Sequence, residues 1–268
     1  LAVQHIHITN LAIYPVKSLR GIELQDMSVG ALGPLGDRRF VIADSKRRFI
    51  TQRQISRMCL VDVEWNGERL QLQAPGCAEL SVAVSQAVGA RTPVMVWRDT
   101  VDACDMGDAA AVWLSAYLGI AARLYFMPDD SIRAVDPMYA RAGDRVGFAD
   151  GFPLLLIAQA SLAAINSELS EAIGADRFRP NIVVSGSTAY AEDEWRRIRI
   201  GAIEFEVVKP CSRCAIPSID IATAQRQPIV AQTLARLRQR GDAVYFGQNL
   251  IQRGEGRIAV GDIVTVLE

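Results

Sequence analysis

Lysine and histidine are scarce in this chain: Lys17, Lys46 and Lys209 are its lysines, and His5 and His7 its histidines. Nearly all the positive charge is therefore arginine, whose planar fork suits phosphate and carboxylate. A GC-rich coding bias accounts for that total, so position, not composition, has to define any anion site. There is no basic excess either, since the net charge is −1. That excludes broad nucleic-acid binding, which depends on neutralising many phosphates. No apolar run approaches the ~20 residues of a bilayer span. The opening "LAVQHIHITN" lacks the basic start and apolar centre of a secretion signal. A cytoplasmic location without a membrane span is the expectation. Residue 1 is not methionine, so the first residues carry no weight. The five cysteines are odd in number with one close pair, which is no disulfide framework. Cys59, Cys77 and Cys104 are scattered and read as small buried apolar residues.

What is present, over 268 residues, is enough apolar content for one large domain or two interlocked ones. From Ile6 to Val101 short alternating runs ("HITNLAIYPV", "RRFVIAD", "CLVDVEW", "ERLQLQA", "TPVMVW") predict strands. Residues Gly107 to Gly119 switch to helical spacing, with Asp108 expected to cap the start and Gly119 the end. "ARLYFM" returns to strand. Residues Met127 to Gly151 have no clear period and predict a long loop of the kind that is often functional. After the apolar strand "PLLLIA", a helix is expected from Ser161 to near Gly174, then the strand "NIVVSG". "RIRIGAIEFEVV" predicts a hairpin through Gly201, with Ile198, Ile200, Ile203, Phe205 and Val207 on one face. "VAQTLARLRQRG" predicts a helix and "GRIAVGDIVTVLE" a closing hairpin.

The second strand of the Gly201 hairpin runs into "KPCSRC", which places Cys211 and Cys214 where a strand ends. That spacing admits several chemistries. Zinc needs four ligands, and His5 with His7 could complete the set. A redox pair normally sits at a helix N-terminus, but here Pro217 follows and the segment reads as turn. A single thiolate could instead complete a soft metal held by something else, with Arg213 serving an anionic group. An inert surface turn is the remaining reading.

Several motifs, "YPVKSLRG", "LGDRRFVIAD", "FRPNIVVSG", "YAEDEW", "KPCSRC" and "VGDIV", together resemble a MOSC-domain protein preceded by its N-terminal β-barrel partner. Within that superfamily the chain is similar to the mitochondrial amidoxime reducing component and its bacterial relatives. The resemblance implies a β-rich, mixed α/β fold: an N-terminal β-barrel domain over residues 1–101 and a MOSC domain over 102–268, interlocked. It also implies the molybdenum cofactor, Mo-molybdopterin, with Cys214 as the thiolate on the metal and the catalytic centre. Position by position, Lys17, Ser18, Arg38, Arg179 and Asn181 resemble cofactor contacts, and Ser212 and Arg213 flank the ligand. Arginine and lysine would neutralise the phosphate; serine and asparagine would read the pterin. Arg38 and Arg39 alternate, so one of them should face away. The implied activity is reduction of small N-oxygenated compounds, with Asp150 as a possible proton carrier. A separate electron-transfer protein, ferredoxin-like, flavoprotein or cytochrome, is expected, because no spare cysteine cluster is present. The alternatives are a cofactor or sulfur carrier acting through Cys214, and a zinc-stabilised binding module.

Overall fold

The structure, a computed structural model, describes residues 5–268; residues 1–4, including the start without methionine, lie outside the described residues. The alternating hairpin Arg197–Ile200 and Ile203–Ser212 forms as its pattern predicts, turning at Gly201 with φ +56°. Its apolar side chains, Ile198 to Val207 on one face, are all buried. This hairpin seeds a nine-stranded sheet in which eight strands run, in spatial order, Val264–Val266, Arg197–Ile200, Ile203–Ser212, Ala243–Arg253, Leu154–Ala158, Ile182–Ser185, His7–Ile13 and Ile22–Leu24, while the ninth, Gln239–Arg240, pairs with Ala243–Arg253 off this path. Leu154–Ala158 and Ile182–Ser185 pair in parallel. A parallel pair needs a crossover, supplied here by the segment that carries the helix Gln159–Asn166. The sheet curls until His7 bridges Ile263, beside the strand at its other end. The inside is filled by Leu11, Leu156, Ile182, Phe205 and Leu250, all fully buried. Outside, Ile157, Val183 and Phe246 pack against Val230 and Leu234 of the helix Pro228–Arg238. This is the β-rich α/β architecture expected.

A second, four-stranded sheet has the order Phe40–Asp44, Ala122–Phe126, Asp99–Asp105 and Val88–Val96. The division expected after residue 101 falls within the strand Asp99–Asp105. The two halves share chain: His7–Ile13 belongs to the large sheet, and Val16 then bridges to Phe40 of the small one. Residues 14–18 therefore cross the seam between the sheets, and the site lies on that seam. No helix among the described residues is long and apolar enough to cross a membrane.

Four local expectations are corrected. Asp108 is the first helical residue and not the cap; its carboxylate pairs with Arg123 at 2.8 Å, while Gly107 occupies the cap position and Gly119 ends the helix left-handed. The helix expected from Ser161 starts at Gln159 and stops at Asn166, whose side chain bonds both backbone groups of Ile173 and ends the run. Ser161 lies inside it, donating to the buried Glu192. The closing segment is no hairpin: Gly256–Ala259 pairs with Asp26–Gly30, and Val264–Val266 with Arg197–Ile200. Arg38 and Arg39 precede the strand in a turn, but they do diverge. Cys59 is buried as expected, and Cys77 and Cys104 are half-buried.

Candidate functional site

Seven segments separated in sequence supply one cleft. Its lining includes Lys17, Ser18, Arg38, Arg179, Asn181, Ser212, Arg213 and Cys214, so every residue expected at the site is brought there. Ser18, Arg38 and Arg179 all hold left-handed backbone, with φ of 68°, 46° and 59°. Side-chain-bearing residues pay roughly 1–2 kcal/mol for that conformation. Such strain persists where surrounding structure enforces it, and it clusters at functional sites.

The floor is a buried polar lattice. Asp37, 5 % exposed, accepts from Arg38 Nη1 at 2.6 Å, from Asn181 Nδ2 at 3.1 Å and from the Tyr14 N–H at 2.8 Å. Burial pushes the Asp37 carboxyl upward, and Arg38 opposes it. Asn181 is the hub. Its Oδ1 accepts from Arg38 Nη1 at 3.0 Å and from Leu155 N–H at 3.1 Å; its Nδ2 donates to the Ala12 carbonyl and to Asp37, each at 3.1 Å. An amide has two donor hydrogens and two acceptor lone pairs, so Asn181 has none left for a ligand. It holds Arg38 in place, where the resemblance implied a pterin contact. The Arg38 and Arg179 guanidinium centres lie 4.4 and 4.2 Å from the centroid of the Tyr14 ring. Burial raises the Tyr14 hydroxyl to about 12.

At the opening, Lys17 Nζ donates to the Phe148 carbonyl at 2.7 Å and to Asp150 Oδ1 at 2.5 Å. Burial lowers Lys17 to about 8 even though Asp150 opposes the change. For Asp150 desolvation by the cleft wall acts upward, but Lys17, Arg53 and the Trp97 N–H together hold the carboxyl well below its ordinary range. The Asp150 side chain is 62 % exposed, so solvent screens this pair. Arg179 is lowered to about 10 by burial and by the nearby Arg38 charge.

At the sulfur end, Arg213 donates from Nη1 to Cys211 Sγ at 3.0 Å and from Nη2 to the Phe178 carbonyl at 2.9 Å. Cys214 is exposed and Cys211 half-buried. Arg179 Nη2 and Arg213 Nε are buried without a hydrogen-bond partner among the described residues. Leaving such groups unmet is costly unless a ligand satisfies them. The cleft is thus built to receive an acceptor-rich group beside a thiol.

Arg39 points elsewhere, to Asp129 and the Met127 carbonyl. The four-ligand zinc set does not form: His7 contacts the His5 carbonyl at 3.0 Å at the sheet closure. Among the described residues no three His, Cys, Asp or Glu side chains gather as a metal cluster. Sequence reasoning missed Asp37, which stands inside the "GDRRF" motif, and Arg53, which lines the cleft without any motif to mark it. The long loop joins the site at Ala149 to Phe152, and a wider cleft lined by Arg133 to Pro137 continues past Cys211–Cys214.

The MOSC N-terminal beta barrel domain family matches residues 5–121, and the MOSC domain family matches residues 143–265. Mitochondrial amidoxime-reducing component 1 of Homo sapiens is 30% identical over 97% of this chain and 82% of its own length. The Mus musculus protein of the same name is 31% identical over the same shares. A molybdenum cofactor sulfurase of Drosophila grimshawi is 30% identical over 97% of this chain but only 34% of its own length. With both domain families matched in order and the similarity running nearly end to end, the chain belongs to the family of the mitochondrial amidoxime-reducing components.

Proposed function

We propose that this protein is a molybdenum-cofactor-dependent reductase of N-hydroxylated compounds, with the Cys214 thiolate on the metal. One observation carries the reading: side chains from seven segments converge on a cleft with a thiol at one end and unmet guanidinium nitrogens in its wall. The relatives' names, amidoxime-reducing component and molybdenum cofactor sulfurase, support it. The residues present fit such a group. Its phosphate and polar pterin are rich in acceptors, which Arg179 Nη2 and Arg213 Nε lack.

Bound in the cleft, the cofactor would supply two-electron chemistry at nitrogen–oxygen bonds, with thiolate suiting a metal already held by sulfur. Lys17, Arg179 and Arg213 would hold its anionic part, and Arg38, fixed by Asp37 and Asn181, would keep the floor rigid. Cys211, engaged with Arg213, is a neighbour and not a second ligand. The overall reaction balances as R–NH–OH + 2 e⁻ + 2 H⁺ → R–NH₂ + H₂O. Lys17 holds a proton at Nζ at neutral pH, and the exposed Asp150 carboxylate links it to solvent.

The test is metal content and turnover of protein made in a host that synthesises the cofactor. Wild type is expected to carry molybdenum and to reduce benzamidoxime with reduced methyl viologen. Cys214→Ser should lose turnover by more than about 100-fold, beyond what groups behind a ligand usually cost. Cys211→Ser should keep its molybdenum; an active Cys214→Ser protein overturns the reading. A carrier role through the same cysteine is the second reading, favoured by the exposure of Cys214 and by the sulfurase relative. It requires cyanide-labile sulfur or transferable cofactor without turnover.

A further inference from the structure

The turn between the strands Val88–Val96 and Asp99–Asp105 is two residues long, Trp97 and Arg98. Trp97 holds φ +58°, a conformation that hairpin turns normally give to glycine. A bulky aromatic there is strained, and yet its side chain stays 49% exposed. Neighbours hold it outward: Arg53 lies 4.4 Å from the ring centroid, Phe49 packs at 5.0 Å, and its Nε1 donates to Asp150 at 3.2 Å. Packing gains nothing from exposing an indole, so the position asks for an external occupant.

Trp97 borders two depressions. One is the wide cleft that contains Cys214; the other is an apolar groove with Phe49, Ile55, Met95 and Ile120 in its lining. Met95 and Ile120 are 41% and 42% exposed. The surrounding charge is one-sided. Asp44, Asp99 and Asp150 are each paired, with Arg48, Arg133 and Lys17. Lys46, Arg47 and Arg98 form no ion pair among the described residues, and Arg53 adds its charge to that of Lys17 beside Asp150. Arg47 and Arg48 are tied to the groove by backbone contacts with Met95. In a chain of net charge −1 this is a local cationic rim around an apolar centre. A polar, charged rim about an exposed apolar core is the anatomy of a protein interface.

We propose that this face docks a small acidic electron-transfer protein, delivering the two electrons of each turnover next to the thiol-bearing cleft. The inference rests on the reductase reading, which leaves the electrons to an outside donor. Unpaired cations steer an acidic partner and set its orientation, and Trp97 spans the docking groove and the reacting cleft.

The experiment uses the holoenzyme with an acidic [2Fe–2S] ferredoxin, kept reduced enzymatically, and in parallel with reduced methyl viologen. Two variants lie outside the cleft: the charge reversal Lys46→Glu/Arg47→Glu, and Met95→Asp in the groove. At low salt each should raise the KM for ferredoxin by about 10-fold, and the charge reversal should flatten its dependence on ionic strength. The viologen-driven rate should stay at the wild-type level in both. An unchanged ferredoxin KM, or wild type that turns over with viologen and not with ferredoxin, overturns the docking proposal. Wild type that turns over with neither overturns the reductase reading instead.

Discussion

Asn181 Oδ1 accepts a hydrogen bond from Arg38 Nη1 at 3.0 Å across 143 positions of sequence, and this joins the turn before Phe40–Asp44 of the small sheet to the start of Ile182–Ser185 in the large one. Because the Asn181 amide is fully used, its removal strips partners from Arg38, the Leu155 N–H, the Ala12 carbonyl and Asp37 together. Asn181→Leu keeps similar bulk and meets none of them. Each buried group left unmet costs about 1–3 kcal/mol. Urea unfolding should therefore show a loss of at least about 2 kcal/mol. A stability equal to wild type would mean that water replaces the lattice.

Lys17 sheds its proton near pH 8 in the folded chain, against about 10.4 for an ordinary lysine. Between those values the unfolded chain binds a proton that the folded chain has lost, so this group makes stability rise with pH across that window. Lys17→Met should remove that rise, measured as the difference in unfolding free energy from wild type at pH 7, 8 and 9. Asp150 acts on the other side. Its lowered carboxyl adds stability above the ordinary carboxylate range, which is lost as pH falls through it. Parallel pH slopes for variant and wild type above pH 8 would refute the burial argument.

How far the sequence carried is clearest at these same residues. Period-two alternation at Ile198 to Val207 announced a hairpin because one face is buried and the other solvated. The cleft was readable as a set of motifs, since Lys17, Arg38, Arg179 and Cys214 sit in short marked stretches. The role of Asn181 was not, because hydrogen bonds to residues 26 to 169 positions away leave no local trace. The final strands failed for the same reason: "GRIAVGDIVTV" alternates like a hairpin, but its partners are Asp26–Gly30 and Arg197–Ile200. Helix ends went wrong where a side chain found a tertiary partner, as Asp108 did in Arg123 and Ser161 in Glu192.

Ser18 pays for its place in the cleft. It is 4% exposed and its φ is 68°, a conformation that glycine adopts freely. Ser18→Gly relieves the backbone and removes a hydroxyl from the lining. Thermal unfolding should shift upward, by about 1 kcal/mol in stability. Molybdenum retained through desalting should fall in the same variant. A large drop in thermal midpoint would show instead that the serine hydroxyl is structural.

Arg133 fixes the loop that shapes both clefts, although it belongs to no motif. At 5% exposure it donates to the Gly147 and Ala149 carbonyls at 2.8 and 2.5 Å and to the Asp150 backbone carbonyl at 3.3 Å, while its Nε donates to Asp99 Oδ2 at 2.7 Å. One guanidinium thus sets the backbone just before Asp150, and so the position of the carboxylate that meets Lys17. Arg133→Met retains bulk but loses charge-assisted bonds worth about 1.5–3 kcal/mol each. Arg133→Lys restores the charge but not the fork, so its rescue should be partial. Chymotrypsin should cleave the Met variant faster around Tyr139, with Lys intermediate. The neighbouring ties, Arg253 to Asp144 and Arg39 to Asp129, remain in both variants. Equal cleavage rates in all three proteins would transfer the fixing of this loop to those pairs.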